Sequence, residues 1–429
     1  MGKYLPIFLL TFVNVIGFSL LIPVMPVVAE KYVDPSLVGV VYGGLISSYA
    51  LFQFLFAPIL GSLSDKYGRK PVLMLSQAGT TLSWVIFGIG VLLPDVPVAG
   101  LSLPLIVVAL SRVVDGITGG NISAAQAWVS DMTEPKDRTR VYGLLGATFG
   151  IGFLFGPAIG GISSSTPIGF LGTAIVAFLI SAVTLIVMAR KLPESLPEQK
   201  RDRELHIHFA RELNILHKIS GFSHNKFVTR LLLIRVFFAL VFSSYTTIII
   251  LYLNSGFGLG QLGLGLMMSI IGIYSIFNQA YLINRFVRAR GELFSVYLGI
   301  VLTFSGLLIL PLIPTGLIVP GTAVNMSLVL VMINAYFLNL GITLSMPTFK
   351  TLLTSQVAPT KQGVITGIDE SLLALGQGVT PILAGGLYSA FGLLTFVVFA
   401  AMLLIPNIII WLQTGHPVLR LPEDSTSVR

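Results

Sequence analysis

Five ionisable side chains fall inside long apolar stretches of this chain: Arg112, Asp115, Arg235, Asp369 and Glu370. A charge at the centre of a membrane-spanning helix costs about 2.5–3.5 kcal/mol on insertion scales, so such residues signal function by default. Carboxylates there can take up protons or pair with a cationic solute. Asp115 stands three residues after Arg112, on one face of a helix. That pair reads in two ways: an ion pair that lowers the cost of insertion, or an acid whose protonation Arg112 tunes. Arg112 lies roughly 14 Å into its apolar run at 1.5 Å per residue. Glu370 shares a helical face with Gly363, Gly367, Ala374 and Gln377, a small and polar stripe, whereas Asp369 faces Ile365, Leu372 and Leu373. Glu370 is therefore the expected cavity acid and Arg235 its expected counter-charge. The plainer alternative places both acids in the cytoplasmic mouth, bonded to helix ends.

These residues sit in a chain of 429 residues that is 54% hydrophobic and only 10% charged, with a mean hydropathy of +0.90. A spanning helix needs about 20 mostly apolar residues. Twelve candidates follow, at about 4–29, 37–63, 71–93, 103–131, 140–163, 167–189, 227–253, 262–287, 292–313, 323–353, 362–390 and 392–413. Helices are expected because lipid offers backbone groups no partners, and barrel strands would alternate rather than run unbroken. The first run begins at Tyr4, which leaves no room for a basic leader and cleavage site, so it is read as an uncleaved span.

Charge tests this arrangement independently. The net charge is +8, from 26 Lys and Arg against 18 Asp and Glu. Lys31 alone falls in a loop on the second side, Arg112 and Arg235 lie inside spans, and the remaining 23 fall on the side shared by both termini. That asymmetry puts both termini in the cytoplasm and explains the positive charge without nucleic acid. There is no cysteine, which removes disulfides and thiolate chemistry. His206 and His208 form no more than a solvated pair in a charged loop, so neither a metal site nor a cofactor is expected.

The loop after the second span reads Gly61-Ser-Leu-Ser-Asp65-Lys66-Tyr-Gly68-Arg69-Lys70-Pro71. It resembles the loop-2/3 signature of the major facilitator superfamily. Three further stretches are similar to motifs of that family's twelve-helix drug/proton antiporters. They are Gly17 to Pro26 with Pro23, Arg112 to Gly119, and the glycine-rich run holding Gly146, Gly150, Gly152, Gly156, Pro157, Gly160 and Gly161. The tetracycline-exporter-like branch is the nearest resemblance. It implies a cytoplasmic latch in which Asp65 complements a helix dipole and Arg69 pairs with Asp131. It also implies a bent, close-packed seam between spans five and eight. Asn14 stands where tetracycline exporters carry an aspartate, and it cannot carry a proton. Proton coupling would then rest on Asp115, Glu370 or Asp369.

Gly143 to Gly161 aligns with Gly367 to Gly385 at an offset of 224, placing Pro157 on Pro381. A duplicated six-helix unit leaves such a trace, and two halves rocking about a midplane site give alternating access. The expected fold class is thus all-α membrane protein, twelve transmembrane helices in two pseudo-symmetric halves. Residues 1–189 form one half and 227–413 the other. The 190–226 linker carries a surface amphipathic helix through Leu205, Phe209, Leu213, Leu216 and Ile219, and 414–429 is a tail. Asn278, Gln279, Asn334, Tyr336 and Asn339 are candidates for lining the carboxyl half of a path, or for polar packing between helices. The expected function is proton-coupled export of small amphipathic compounds by a monomer in the plasma membrane. A nutrient facilitator or symporter is the alternative. An enzyme or receptor is disfavoured because no catalytic motif or extramembrane domain is present.

Overall fold

The computed structural model describes residues 4–134, 137–201, 219, 225–318, 325–357 and 362–414. Local sequence explains most helix starts. Pro6 opens α1 (Leu5–Ser19), where its missing N–H costs nothing. The expected first span then breaks at Pro23, and α2 (Met25–Tyr32) follows. Asp34 Oδ1 accepts from the Ser36 amide at 2.9 Å and from its hydroxyl at 2.6 Å, starting the turn that leads into α3 (Val38–Tyr67). Gly68 ends α3 and opens α4 (Arg69–Leu92).

A small hairpin of β1 (Pro97–Val98) and β2 (Leu101–Ser102) joins α4 to α5 (Leu103–Gly119). Its two-residue loop, Ala99-Gly100, has φ of 53° and 83°, the mirror-image turn that suits a tight hairpin. The chain continues through α6 (Ile122–Met132), α7 (Arg138–Ser164) and α8 (Phe170–Lys191). After the linker come α9 (Lys226–Phe257), α10 (Gln261–Phe277), a π-helical turn at Asn278–Leu282, and α11 (Ile283–Arg290). The last elements are α12 (Glu292–Ile309), α13 (Met326–Ser355), α14 (Gln362–Phe391), α15 (Leu394–Met402) and α16 (Leu404–Thr414). Side chains of Asn225 and Asn325 cap α9 and α13 by accepting amides two to three residues on.

Among the described residues, nine helices are long and apolar enough to cross a membrane. Three shorter apolar helices, Leu5–Ser19, Gly150–Ser164 and Leu394–Ile410, fall where the first, fifth and twelfth spans were expected. The chain forms two compact units, Met1–Leu213 with Gly258–Ser269, and Asn214–Phe257 with Ile270–Arg429. The expected surface helix at Leu205, Phe209, Leu213 and Leu216, the His206–His208 pair and the tail beyond 414 lie outside the described residues.

Unit 1 is centred on a cluster of Ile7, Leu10, Leu73, Trp128, Val129 and Met188. Within it α7 meets α1 closely. A Cβ on Gly152 would press on Val15, one on Gly156 on Ser19, and one on Gly160 on the Leu20 backbone. Ser19 Oγ bridges the seam by reaching Gly152 O at 3.1 Å. Gly161 faces Gly265, with a Cβ there 3.2 Å from the Gly265 Cα. Both helices that align in the repeat hold their proline in mid-helix, Pro157 in α7 and Pro381 in α14.

Candidate functional site

Arg69 organises the end of unit 1 where α3 turns into α4. Its Nη1 lies 2.6 Å from Asp65 Oδ1 and donates to Ser64 Oγ at 2.6 Å, and its Nε lies 3.3 Å from Asp131 Oδ2. The expected Arg69–Asp131 contact is therefore present, and Asp65 finds its partner in Arg69 one turn away. Lys66 Nζ lies over the Tyr67 ring, 5.5 Å from its centroid, and Lys70 Nζ reaches Ala189 O at 3.5 Å. Gly61 lets α3 approach α6, since a Cβ there would stand 3.1 Å from Ser123 Oγ.

Sequence reasoning missed Glu194 in this cluster. Its carboxylate accepts from the Arg69 amide at 2.9 Å and the Lys70 amide at 3.2 Å. It also accepts from its own neighbours Ser195 and Leu196. It thus caps the start of α4, where amides lack helical partners and the dipole favours a negative charge. Gly68 makes room for it: φ is +100°, and a Cβ would run into the Glu194 carboxyl. Ser195 Oγ completes the network by donating to Asp131 Oδ2 at 3.1 Å. The readable signal was an acid between Pro193 and Ser195 just past α8, but its target lies 125 residues away.

Inside unit 1, Arg112 Nη1 and Asp115 Oδ2 are 3.2 Å apart and both residues are buried. Trp84 stacks on the guanidinium, 5.0 Å from ring centroid to carbon, which suits a desolvated cation. Gly17 leaves space beside this pair, with a Cβ there 3.6 Å from Trp84. Asn14 Nδ2 donates to Asn121 Oδ1 at 2.8 Å; Asn121 in turn donates to Ser76, and Ser76 to Thr118 O at 2.5 Å. Asn14 is accordingly the first member of a polar relay through α1, the α5–α6 junction and α4.

Unit 2 corrects one expectation. Arg235 on α9 pairs with Asp369, not Glu370: Nε to Oδ1 is 2.5 Å, and the two side chains are 2% and 5% exposed. Arg235 Nη1 also reaches Met346 Sδ at 2.9 Å. Glu370 instead meets Lys350 on α13 at 2.7 Å, with side chains 53% and 45% exposed. On α14, Ile365 and Leu372 are buried with Asp369, Leu373 and Gln377 are half-buried, and Glu370 is exposed. The counter-charge follows burial: a guanidinium sealed against α14 can reach only the acid on the buried face. Asn278 and Asn339 meet through their amides at 3.1 Å.

The helix-packing glycines divide. Gly156, Pro157, Gly160 and Gly161 lie at the close seams of α7, whereas a Cβ on Gly150 would meet nothing within 4 Å. Gly146 lies on α7, and its surroundings fall outside the described set. Among the described residues no three His, Cys, Asp or Glu gather to hold a metal.

The sequence profile of the Major Facilitator Superfamily matches residues 7–369. The chain belongs to this superfamily. As a Major Facilitator Superfamily protein it is a multi-pass membrane transporter, and it is similar to several drug-resistance proteins. It is 28% identical to the class H tetracycline resistance protein of Pasteurella multocida over 71% of this chain and 72% of that one. It is 28% identical to multidrug resistance protein 2 of Bacillus subtilis (strain 168) over 88% and 86%. A solved structure, the human organic anion transporter MFSD10, superposes with a TM-score of 0.64 at 23% identity, covering 95% of this chain and 99% of that one. That likeness bears on the fold.

Proposed function

We propose that this superfamily member exports small amphipathic compounds in exchange for protons by alternating access. The observation that carries the reading is the set of three acid–base pairs inside the helices, Arg112–Asp115, Arg235–Asp369 and Lys350–Glu370, of which only the last is open. Similarity to tetracycline and multidrug resistance proteins supports export. Glu370 is the exchanging acid in this reading. Ionised, it holds Lys350 or a cationic substrate in its place; protonated, it releases either. A proton and a substrate cation competing for one carboxylate couples their movements in opposite directions, as antiport needs. Arg235–Asp369 stays paired and ties α9 to α14, whereas Asp115, paired with Arg112 within α5, is the second candidate for protonation. The network of Asp65, Arg69, Asp131 and Glu194 serves as the latch, and the glycine seams of α7 as the packing gate. The protein works as a monomer in the plasma membrane, with its Lys- and Arg-rich side and both termini in the cytoplasm.

The test uses purified protein in liposomes with an internal pH dye, an imposed proton gradient, and added lipophilic cations, drugs and sugars. Substrate-evoked proton flux that vanishes in Glu370→Gln supports the reading. Transport without proton movement overturns it in favour of a facilitator. Flux that survives Glu370→Gln but not Asp115→Asn moves the coupling acid to α5.

A further inference from the structure

In unit 2 a short amide relay ends with one hydrogen-bonding atom left over. Asn278 Nδ2 donates to Asn339 Oδ1 at 3.1 Å, Asn339 Nδ2 to Ser275 Oγ at 2.7 Å, and Ser275 Oγ to Ile271 O at 3.2 Å. Each link consumes a donor, and the unspent atom is an acceptor, Asn278 Oδ1, on a residue with no solvent exposure. A buried polar atom without a partner costs roughly 1–3 kcal/mol, so its retention calls for a reason. Asn278 also opens the π-helical turn at Asn278–Leu282, a local widening that occurs mostly at functional positions.

Two aromatic rings stand over the same faces. Tyr274 is four residues before Asn278 on α10, and Tyr336 three before Asn339 on α13, so each ring neighbours its amide by helical spacing. The rings meet edge to face, centroids 5.2 Å apart at 86°, and both tyrosines are half-buried. An edge-to-face pair leaves a ring face free for another flat group.

We infer that Tyr274, Tyr336 and Asn278 form a binding subsite for an aromatic compound carrying an N–H or O–H donor beside its ring. The ring lies on the tyrosine pair, and the donor completes the relay at Asn278 Oδ1 once a half-exposed tyrosine turns aside. This deepens the export reading by naming what unit 2 recognises, and it rests on that reading for its place in transport.

The test is equilibrium binding to the full chain in lipid nanodiscs, with no proton gradient, using a matched fluorescent pair. The probes are protonated (1-naphthylmethyl)dimethylamine and (1-naphthylmethyl)trimethylammonium, which share ring and charge and differ by one N–H. The wild type binds the first about tenfold more tightly, the scale of one charge-assisted hydrogen bond. Asn278→Leu brings the ratio to about one. Tyr336→Ala weakens both probes and keeps the ratio. Thermal unfolding checks each variant, and Asn278→Ala, which also removes the acceptor, is read the same way if Asn278→Leu does not fold. A ratio near one in the wild type, or a ratio unchanged by the loss of the amide, overturns the inference. Loss of proton-coupled flux with the ratio intact would sink the export reading alone.

Discussion

Asp369 and Glu370 are neighbours in sequence with opposite surroundings, and neutralising each in turn separates burial from charge. Arg235 and Asp369 are almost fully enclosed with a 2.5 Å contact. With charge centres near 4 Å and an effective dielectric of about 20, their attraction is about 4 kcal/mol. Desolvation offsets much of that while the pair is intact. Asp369→Asn removes the attraction and leaves Arg235 desolvated, so the loss is about 3–5 kcal/mol. Lys350 and Glu370 are about half exposed, which drops the attraction towards its aqueous value of about 1 kcal/mol before side-chain entropy is subtracted. Glu370→Gln therefore changes stability by less than about 1 kcal/mol. Thermal unfolding of detergent-purified protein, followed by intrinsic fluorescence, reads the difference. Asp369→Asn lowers Tm by roughly 10 °C, Glu370→Gln by no more than about 3 °C. The double variant Arg235→Met/Asp369→Leu recovers most of the loss, because apolar groups of similar volume need no counter-charge. A larger drop for Glu370→Gln than for Asp369→Asn, or a double variant no better than the single, refutes the reasoning.

Gly160→Ala destabilises the protein because its Cβ would strike the Leu20 backbone, while Gly150→Ala is neutral or gains up to about 1 kcal/mol of helix propensity; paired unfolding curves decide this. Glu194→Ala exposes two uncapped amides at the start of α4 and costs about 0.5–2 kcal/mol, measured as faster amide exchange at Arg69 and Lys70 relative to wild type. The Ser36 hydroxyl and amide hold the Asp34 carboxyl below its ordinary 3.8. A depressed pKa stabilises the ionised turn above the ordinary value and loses that contribution as pH falls through the lowered one. Protection of the Ser36 amide relative to an Asp34→Asn variant should therefore be present at neutral pH and disappear in acid.

Much of this protein is written locally in its sequence. Apolar run length follows from bilayer thickness, so stretches long enough to cross a membrane could be read from the sequence. The division of α14 into an Asp369 face and a Glu370 face follows from helical period alone. The reading of the signature loop paired its Arg69 with Asp131 at the end of the fourth span, and that ion pair is present. Contacts between helices were not legible, because a helix's periodicity says which face is polar but not which neighbour meets it, or at what height. Tertiary packing chose Asp369 for Arg235 and Lys350 for Glu370. It brought Glu194 across to cap α4, and it set Gly160 in a tight seam while leaving Gly150 open. It likewise brought Asn278, at the head of the π turn, against Asn339 of α13. Burial and periodicity are properties of one segment, whereas partnership is a property of two, and only the folded chain decides it.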